Sequence, residues 1–286
     1  MNDTIRALSR KTFPPLLSEM NDPPKQLFVR GVLPSPDTPL LTVVGSRKYS
    51  SYGKETCEKI IGELAGSGIA IVSGLALGID SIAHKAALDA GLSTIAIPGS
   101  GITPQALYPA SNRSLAERII AQGGALLSEF EPDFRATVWS FPQRNRIMAA
   151  ISQATLIIEA EELSGTLITA RLALEYNRDV YAIPGSIFSA GSRGTNELIR
   201  NGALPVISGD DIIREFGLST EKTSHESLLL PIEEQAIYEL IAEPRSIDEV
   251  ARALGLPVSK ISISVSSMEI KGVIKRHGEK IRRARS

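Results

Sequence analysis

Five short stretches rich in glycine and hydroxyl residues recur along this chain: Gly45-Ser46-Arg47, Ser73-Gly74, Pro98-Gly99-Ser100-Gly101, Ser164-Gly165-Thr166 and Pro184-Gly185-Ser186. Each follows an apolar run, and the string AIPGS occurs at both 96–100 and 182–186. Glycine lets the backbone approach a ligand closely, while hydroxyls and the N–H groups of a following helix satisfy anionic oxygens. One such turn is an ordinary strand-to-helix connection. Five of them predict an anion site, with phosphate as the best-fitting group. A second stretch, RATVWSFPQRNR from Arg135 to Arg146, holds three arginines, Trp139 and Phe141 and no acid. Arginine neutralises phosphate and a stacked base adds about 1–3 kcal/mol, a combination suited to single-stranded nucleic acid. Phe141 with Arg144-Asn145-Arg146 is expected at the site, Trp139 in the core, and Arg47 as a second cation facing the ligand. Glu129, Glu131, Glu159, Glu161 and Glu162 lie near the same turns and either point away or sharpen selectivity.

Other chemistries lack their residues. Gly53-Lys54 is followed by Glu55, so the Walker A pattern fails, and Pro104 occupies the third glycine position after Gly99-x-Gly101. There is no G-x-S-x-G nucleophile elbow. The histidines stand at 84, 225 and 277; His84, within the sheet segment, sits on an expected helix where a structural role fits best. One cysteine, Cys57, and scattered histidines do not make a zinc site, so no metal is expected. The chain has 286 residues, 43% of them hydrophobic, with 31 Lys+Arg against 32 Asp+Glu. That supports a full core, and no apolar run reaches the roughly 18 residues that span a bilayer. The N-terminal MNDTIRALSRKTFPPLL has no apolar signal core, so a cytoplasmic protein is expected.

The turns need a scaffold that gathers them. From Leu41, apolar runs at 41–44, 69–72, 93–97, 125–127, 154–158, 180–183 and 204–207 alternate with helical segments such as 53–65, 79–90, 114–121, 144–153 and 166–177. Apolar strands covered on both faces, each followed by a helix, predict an α/β domain with a doubly wound parallel sheet over 41–217. Ligands bind such sheets beyond the carboxyl ends of the strands, where these turns fall. Residues 1–40 are Pro-rich and read as an irregular leader, and 218–230 as a linker. From 231 to 286, a helix, a capped helix after Ser246, a Gly255 turn, a third helix and a basic end predict a winged helix-turn-helix domain. Ser246 with Glu249 fits a capping box, and Val258, Ile261, Val265 and Met268 define a buried face. Segment 217–250 has eight acids against two bases, and 271–286 has seven bases, His277 and one acid. Such asymmetry fits an anionic partner or a solvated end.

An ordered set of strings extends over almost the whole chain from Phe13. They are FPPLL…DPP…LFVRG at 13–31, VVGSRKYSSYG at 43–53, IVSGLALGIDSIAH at 71–84, PGSGI…YPASN at 98–112, LLSEFEP at 126–132, SFPQRNRIMAAIS at 140–152, EA…SGTLITARLALE at 159–175 and IPGS…GTNELIRNGA at 183–203. This set resembles the DNA processing protein A family (DprA/Smf). The resemblance implies an extended Rossmann-like, mostly parallel sheet with helices on both faces, plus a small C-terminal winged-helix domain. It further implies single-stranded DNA binding, protection of incoming strands and loading of the RecA recombinase in natural transformation. Family members form a homodimer through the Rossmann-like domain and use no metal, cofactor or established catalysed reaction. Carried over by motif, phosphate contacts fall on Gly45, Ser46, Arg47, Ser73 and Gly74 and around Arg144, Asn145 and Arg146, with Phe141 stacking or pocketing a base. Gly99-Ser100 and Ser164-Gly165-Thr166 complete the expected site.

Three departures from the family pattern stand out. Only twelve residues precede Phe13, so the helical N-terminal module of many members is expected to be missing or vestigial. Some members use a Lys just before S-F-x-x-R-N-R, whereas Thr137-Val138-Trp139 offers none and Arg135 is the expected substitute. The third C-terminal helix shows Ser259, Lys260, Ser262, Ser264, Ser266 and Ser267, with no Arg, Asn or Gln to fork onto base edges. Its basic end, with Lys275, Arg276, Arg282 and Arg283, suits auxiliary backbone contacts or a protein partner. The alternative is a nucleotide-binding enzyme or sensor of phosphoribohydrolase type using the same phosphate site. Such hydrolases carry P-G-G-x-G-T-x-x-E, yet Thr169 stands here in place of that Glu, and Glu197 lies too close to Thr195 to replace it. Without a placed carboxylate the general base is lost.

Overall fold

The computed structural model describes residues 4–218, 231–270, 273–277 and 280–283, so residues 219–230 of the expected linker lie outside the described residues. The chain forms two units, Met1–Glu221 and Lys222–Ser286. In the first, the chain runs β1 (Arg6–Leu8), β2 (Leu27–Gly31), β3 (Leu40–Val44), α1 (Ser51–Glu63), β4 (Ala70–Ser73), α2 (Ile79–Asp89), β5 (Thr94–Ala96), α3 (Arg113–Ala121) and β6 (Ala125–Ser128). It continues through α4 (Ser140–Ile151), β7 (Ala154–Ile157), α5 (Gly165–Glu175), β8 (Asp179–Ala182), α6 (Ala190–Arg200), β9 (Leu204–Pro205) and α7 (Gly209–Glu215).

These strands make one sheet in the order β1-β2-β6-β5-β4-β3-β7-β8-β9. From β6 to β9 every pairing is parallel. The strand β3 shows why: Leu41 and Val43 pack with Cys57, Ile60 and Ile61 of α1, and Leu40 and Val44 pack with Ile147, Met148 and Ile151 of α4. Alternate residues enter cores on opposite faces, each buried Leu, Ile or Val contributing about 1.5–3 kcal/mol. Among the described residues no helix is long and apolar enough to cross a membrane.

The N-terminal segment departs from the expected irregular leader. Its β2 pairs antiparallel with β6, from Phe28↔Ser128 to Gly31↔Ala125, and β1 pairs antiparallel with β2. Phe13, Leu17 and Met20 are buried in the core on the α4 side. Arg178 fastens the segment by donating to the Leu16 carbonyl at 3.1 Å and pairing with Glu19 at 2.8 Å. Arg30, buried on β2, makes a two-pronged ion pair with Glu117 of α3. The prolines break periodicity between the strands and hide them without preventing pairing.

In the second unit α8 (Ile232–Leu240), α9 (Ile247–Leu254) and α10 (Val258–Ile270) accompany a small sheet of β10 (Arg245–Ser246), β11 (Ile274–His277) and β12 (Lys280–Arg283), ordered β10-β12-β11. This is a winged helix. The capping box forms: Ser246 N–H donates to Glu249 Oε2 at 2.7 Å and Glu249 N–H to Ser246 Oγ at 3.2 Å. Gly255 ends α9 at φ +65°, a left-handed conformation that glycine adopts without strain. Ile261, Val265 and Met268 are buried as expected, but Val258, in the first turn of α10, is exposed.

Candidate nucleic-acid interface

From β3 the chain winds outward through β4, β5 and β6, then crosses back to β7 and winds the other way. The reversal between β3 and β7 opens a crevice at their carboxyl ends. There a cleft of about 530 Å³ is lined by Gly45, Ser46 and Arg47 after β3, by Phe141, Arg144 and Asn145 of α4, and by Ser164, Gly165 and Thr166 at the start of α5. Nine of the expected residues therefore meet, from three separate segments.

Close packing builds this arrangement. A side chain at Gly45 would come within 2.7 Å of Ile79, and one at Gly78 (φ +85°) within 2.4 Å of the Ser46 carbonyl. Both glycines let the Gly-Ser-Arg turn sit against the start of α2, where Ile79 N–H donates to the Ser46 carbonyl at 3.2 Å. Arg47 is held out into solvent, its guanidinium 5.4 Å from the centre of the Phe141 ring. That contact orients a cation without neutralising it. Across the cleft Ser164 caps α5 by accepting from Thr166 N–H at 3.2 Å, so the positive end of an 11-residue helix faces the opening.

Arg144 has a different role. It is 4% exposed, donating through Nη1 to the carbonyls of Gly74, at 2.5 Å, and Ile97, and through Nε to Asn145 Oδ1 at 3.1 Å. Burial pushes its pKa down to about 10, so it stays charged at neutral pH beside Asp80. Asp80 accepts from Gly74 N–H at 3.1 Å, and burial raises its carboxyl above the usual range against the pull of Arg144. Both residues line the floor of the cleft. Asp80 was not singled out in the sequence, although an acid in the first turn of a helix after Gly78 was the available signal. Lys48 and Tyr108 were also missed: Lys48 lines the cleft, and the Tyr108 ring lies 5.7 Å from Phe141.

Five expected residues lie beneath or beside the cleft. Ser73 is buried and donates to the Val43 carbonyl at 2.7 Å. A side chain at Gly74 would strike Arg144, and one at Gly99 would strike the Phe141 ring at 2.6 Å. Ser100 is buried, accepting from Tyr108 N–H at 3.2 Å, with its carbonyl accepting from Ser128 Oγ at 2.7 Å. Arg146 turns to Glu129 and the Asp22 carbonyl and ties α4 to the N-terminal segment. Arg135 is exposed. Trp139, expected in the core, is 55% exposed.

The acids are sorted by the same contacts. Glu129 is buried against Arg146 and Gln143, its carboxyl raised by burial. Glu159 is buried and accepts from Ser50 N–H at 2.9 Å and Ser50 Oγ at 2.5 Å, away from the cleft. Glu161 remains at the cleft wall. His84 is structural: Nδ1 lies 2.8 Å from Thr94 Oγ1, and burial pushes its pKa down to about 3. In the winged helix, Lys275 and Arg282 are exposed, Arg276 pairs with Glu269 at 3.1 Å, and Arg283 stacks on Tyr238 at 4.4 Å while donating to its carbonyl at 2.9 Å.

A doubly wound, mostly parallel sheet with a cleft at its switch point, followed by a winged helix, defines a Rossmann-type α/β protein with a C-terminal winged-helix domain. The match to known proteins narrows the class. The chain belongs to the DNA recombination-mediator protein A family, whose model matches residues 4–217, with the DprA winged helix domain matching 223–280. It is 38% identical over 272 residues to Protein Smf of Escherichia coli, covering 92% of this chain and 72% of that protein. It is 44% identical over 200 residues to DNA processing protein DprA of Streptococcus pneumoniae, covering 70% of each. The solved S. pneumoniae structure superposes with a TM-score of 0.68 at 40% identity, covering 75% of each chain. A Helicobacter pylori DNA processing protein A structure, whose subject is its single-stranded DNA binding mode, superposes at 0.65 with 33% identity, covering 76% of this chain and 98% of that one.

Proposed function

We propose that this protein binds single-stranded DNA across the carboxyl edge of its sheet and acts as a non-catalytic carrier of that strand. The observation that carries the reading is Arg47, exposed and poised on the Phe141 ring at the mouth of a cleft that ends on the start of α5. Arg47 and the α5 N-terminus hold phosphates, and Phe141 engages a base. Glu161 at the wall disfavours the dianionic end of a mononucleotide more than the singly charged diester of a strand. The single-strand binding mode studied in the H. pylori relative supports the same chemistry. An enzymatic reading lacks its base: Thr169 is buried where the hydrolase carboxylate would stand, and Glu197 pairs with Arg200 on α6.

Family membership extends the proposal to protecting incoming strands and loading RecA during natural transformation, as a homodimer through the Rossmann-like unit. The short edge strand β9, where exposed Leu204 and Leu174 lie among the polar Asn177 and Asp179, is the surface proposed for that dimer. The test is fluorescence anisotropy of a labelled single strand against salt, with duplex and mononucleotide competitors. Engaging about five phosphates gives a log–log slope near −3.5, at about −0.7 per phosphate. Strong single-strand preference is expected. Displacement by a mononucleotide with weak strand binding overturns the reading.

A further inference from the structure

The loop between β6 and α4 ends on Val138 and Trp139, 88% and 55% exposed. An indole left this open forfeits much of the gain from burying an aromatic ring. Yet it is firmly held. Phe130 and Phe134 stack at 4.6 Å and meet the Trp139 ring at 5.7 and 5.5 Å. The next residue, Ser140, donates to the Gly99 carbonyl at 2.6 Å and accepts from Thr137 N–H at 3.0 Å. Packing thus fixes the ring while leaving much of its surface uncovered.

Its neighbours give that surface a context. Two residues on, Phe141 carries Arg47 and packs near the half-exposed Tyr108. These aromatics prolong the cleft along the carboxyl edge toward β6, four strand spacings from β7, or about 19 Å. The same loop bears exposed Arg135 but also exposed Glu131 and Asp133, so net charge cannot supply the grip here. We infer that Trp139 is a second stacking position, taking an unpaired base of the strand whose phosphates lie in the cleft. The inference rests on the single-strand reading above. Stacking accepts any base with a free π-face, which a paired and stacked duplex base does not offer.

Trp139 is the sole tryptophan, so intrinsic emission reports this position alone. The full chain is titrated with oligodeoxythymidylate and with an abasic strand of equal length, alongside anisotropy of the labelled strand. Emission is expected to change only with the base-bearing strand, at the anisotropy midpoint. Trp139→Ala should weaken binding roughly tenfold, within the range for one stacked base, with the salt slope unchanged. Trp139→Phe should retain most of the affinity. Normal strand binding with unchanged emission and native affinity in Trp139→Ala overturns the inference and leaves the single-strand reading intact. No strand binding by anisotropy removes both.

Discussion

Arg144 and Arg47 both face the cleft, and what surrounds them separates its floor from its lip. Arg144 is enclosed by the carbonyls of Gly74 and Ile97 and the Asp80 carboxylate, whereas Arg47 touches a ring face and water. The floor also holds Ser73 and Ser100, whose hydroxyls join neighbouring strands and turns. The lip holds Phe141 and the start of α5. One chemical group thus does two jobs: buried, it fixes the shape of the cleft; exposed, it remains available to a ligand.

Variants can break this division. The largest effect is expected at the floor: Arg144→Ala strands the buried Gly74 and Ile97 carbonyls without their donor and should cost about 1–3 kcal/mol for each in denaturant unfolding. If Arg144→Ala instead folds with native stability and loses strand binding, Arg144 belongs to the lip. His84, buried near the same floor, adds a pH signature. The unfolded chain protonates it near 6.5, while the fold resists protonation down to about 3. Between those values the unfolded state holds more protons, so stability falls as pH falls, by about 1.4 kcal/mol per unit for this group. Urea midpoints for the native chain should therefore drop from pH 7 to pH 5 more than those for His84→Gln.

Lip variants should act on binding alone. Arg47→Glu is expected to weaken the strand complex at least tenfold, about 1.4 kcal/mol, with the unfolding midpoint unchanged. The smallest effect is expected at the winged helix. Replacing exposed Lys275 and Arg282 together by Ala should change affinity only a few-fold and flatten the salt slope by about 1.4, at about 0.7 per lost phosphate contact. If this double variant exceeds Arg47→Glu, the principal contact lies on the ribbon.

The apolar runs of β3 to β8 and their trailing turns were legible because parallel strands buried on both faces carry little else, while β9 is a short exposed edge strand. The meeting of Gly45-Ser46-Arg47 with Ser164-Gly165-Thr166 followed, since a doubly wound sheet brings every strand end to one edge. Burial of individual polar groups was not legible. Arg144 and Arg146 stand two apart on one helix, and the distant Gly74, Ile97 and Glu129 decide what they bind. Trp139 was expected inside because large rings usually are, but the small cluster beneath it leaves one side open. The strand Leu27–Gly31 was hidden among prolines because its partner lies about a hundred residues away.

That distant pairing bears on the order in which the chain is made. Synthesis at about 5–20 residues per second delivers Leu27–Gly31 roughly 5–20 seconds before Ala125–Ser128 leaves the ribosome. Throughout that interval an apolar strand has no native neighbour in the sheet, and the carbonyls that Arg146 and Arg178 later engage are unclaimed. The Leu27–Gly31 strand is therefore made well before the residues that lock it in place. A nascent chain stalled before residue 125 should remain open to protease between Phe13 and Gly31, and extension past Arg178 should close that window.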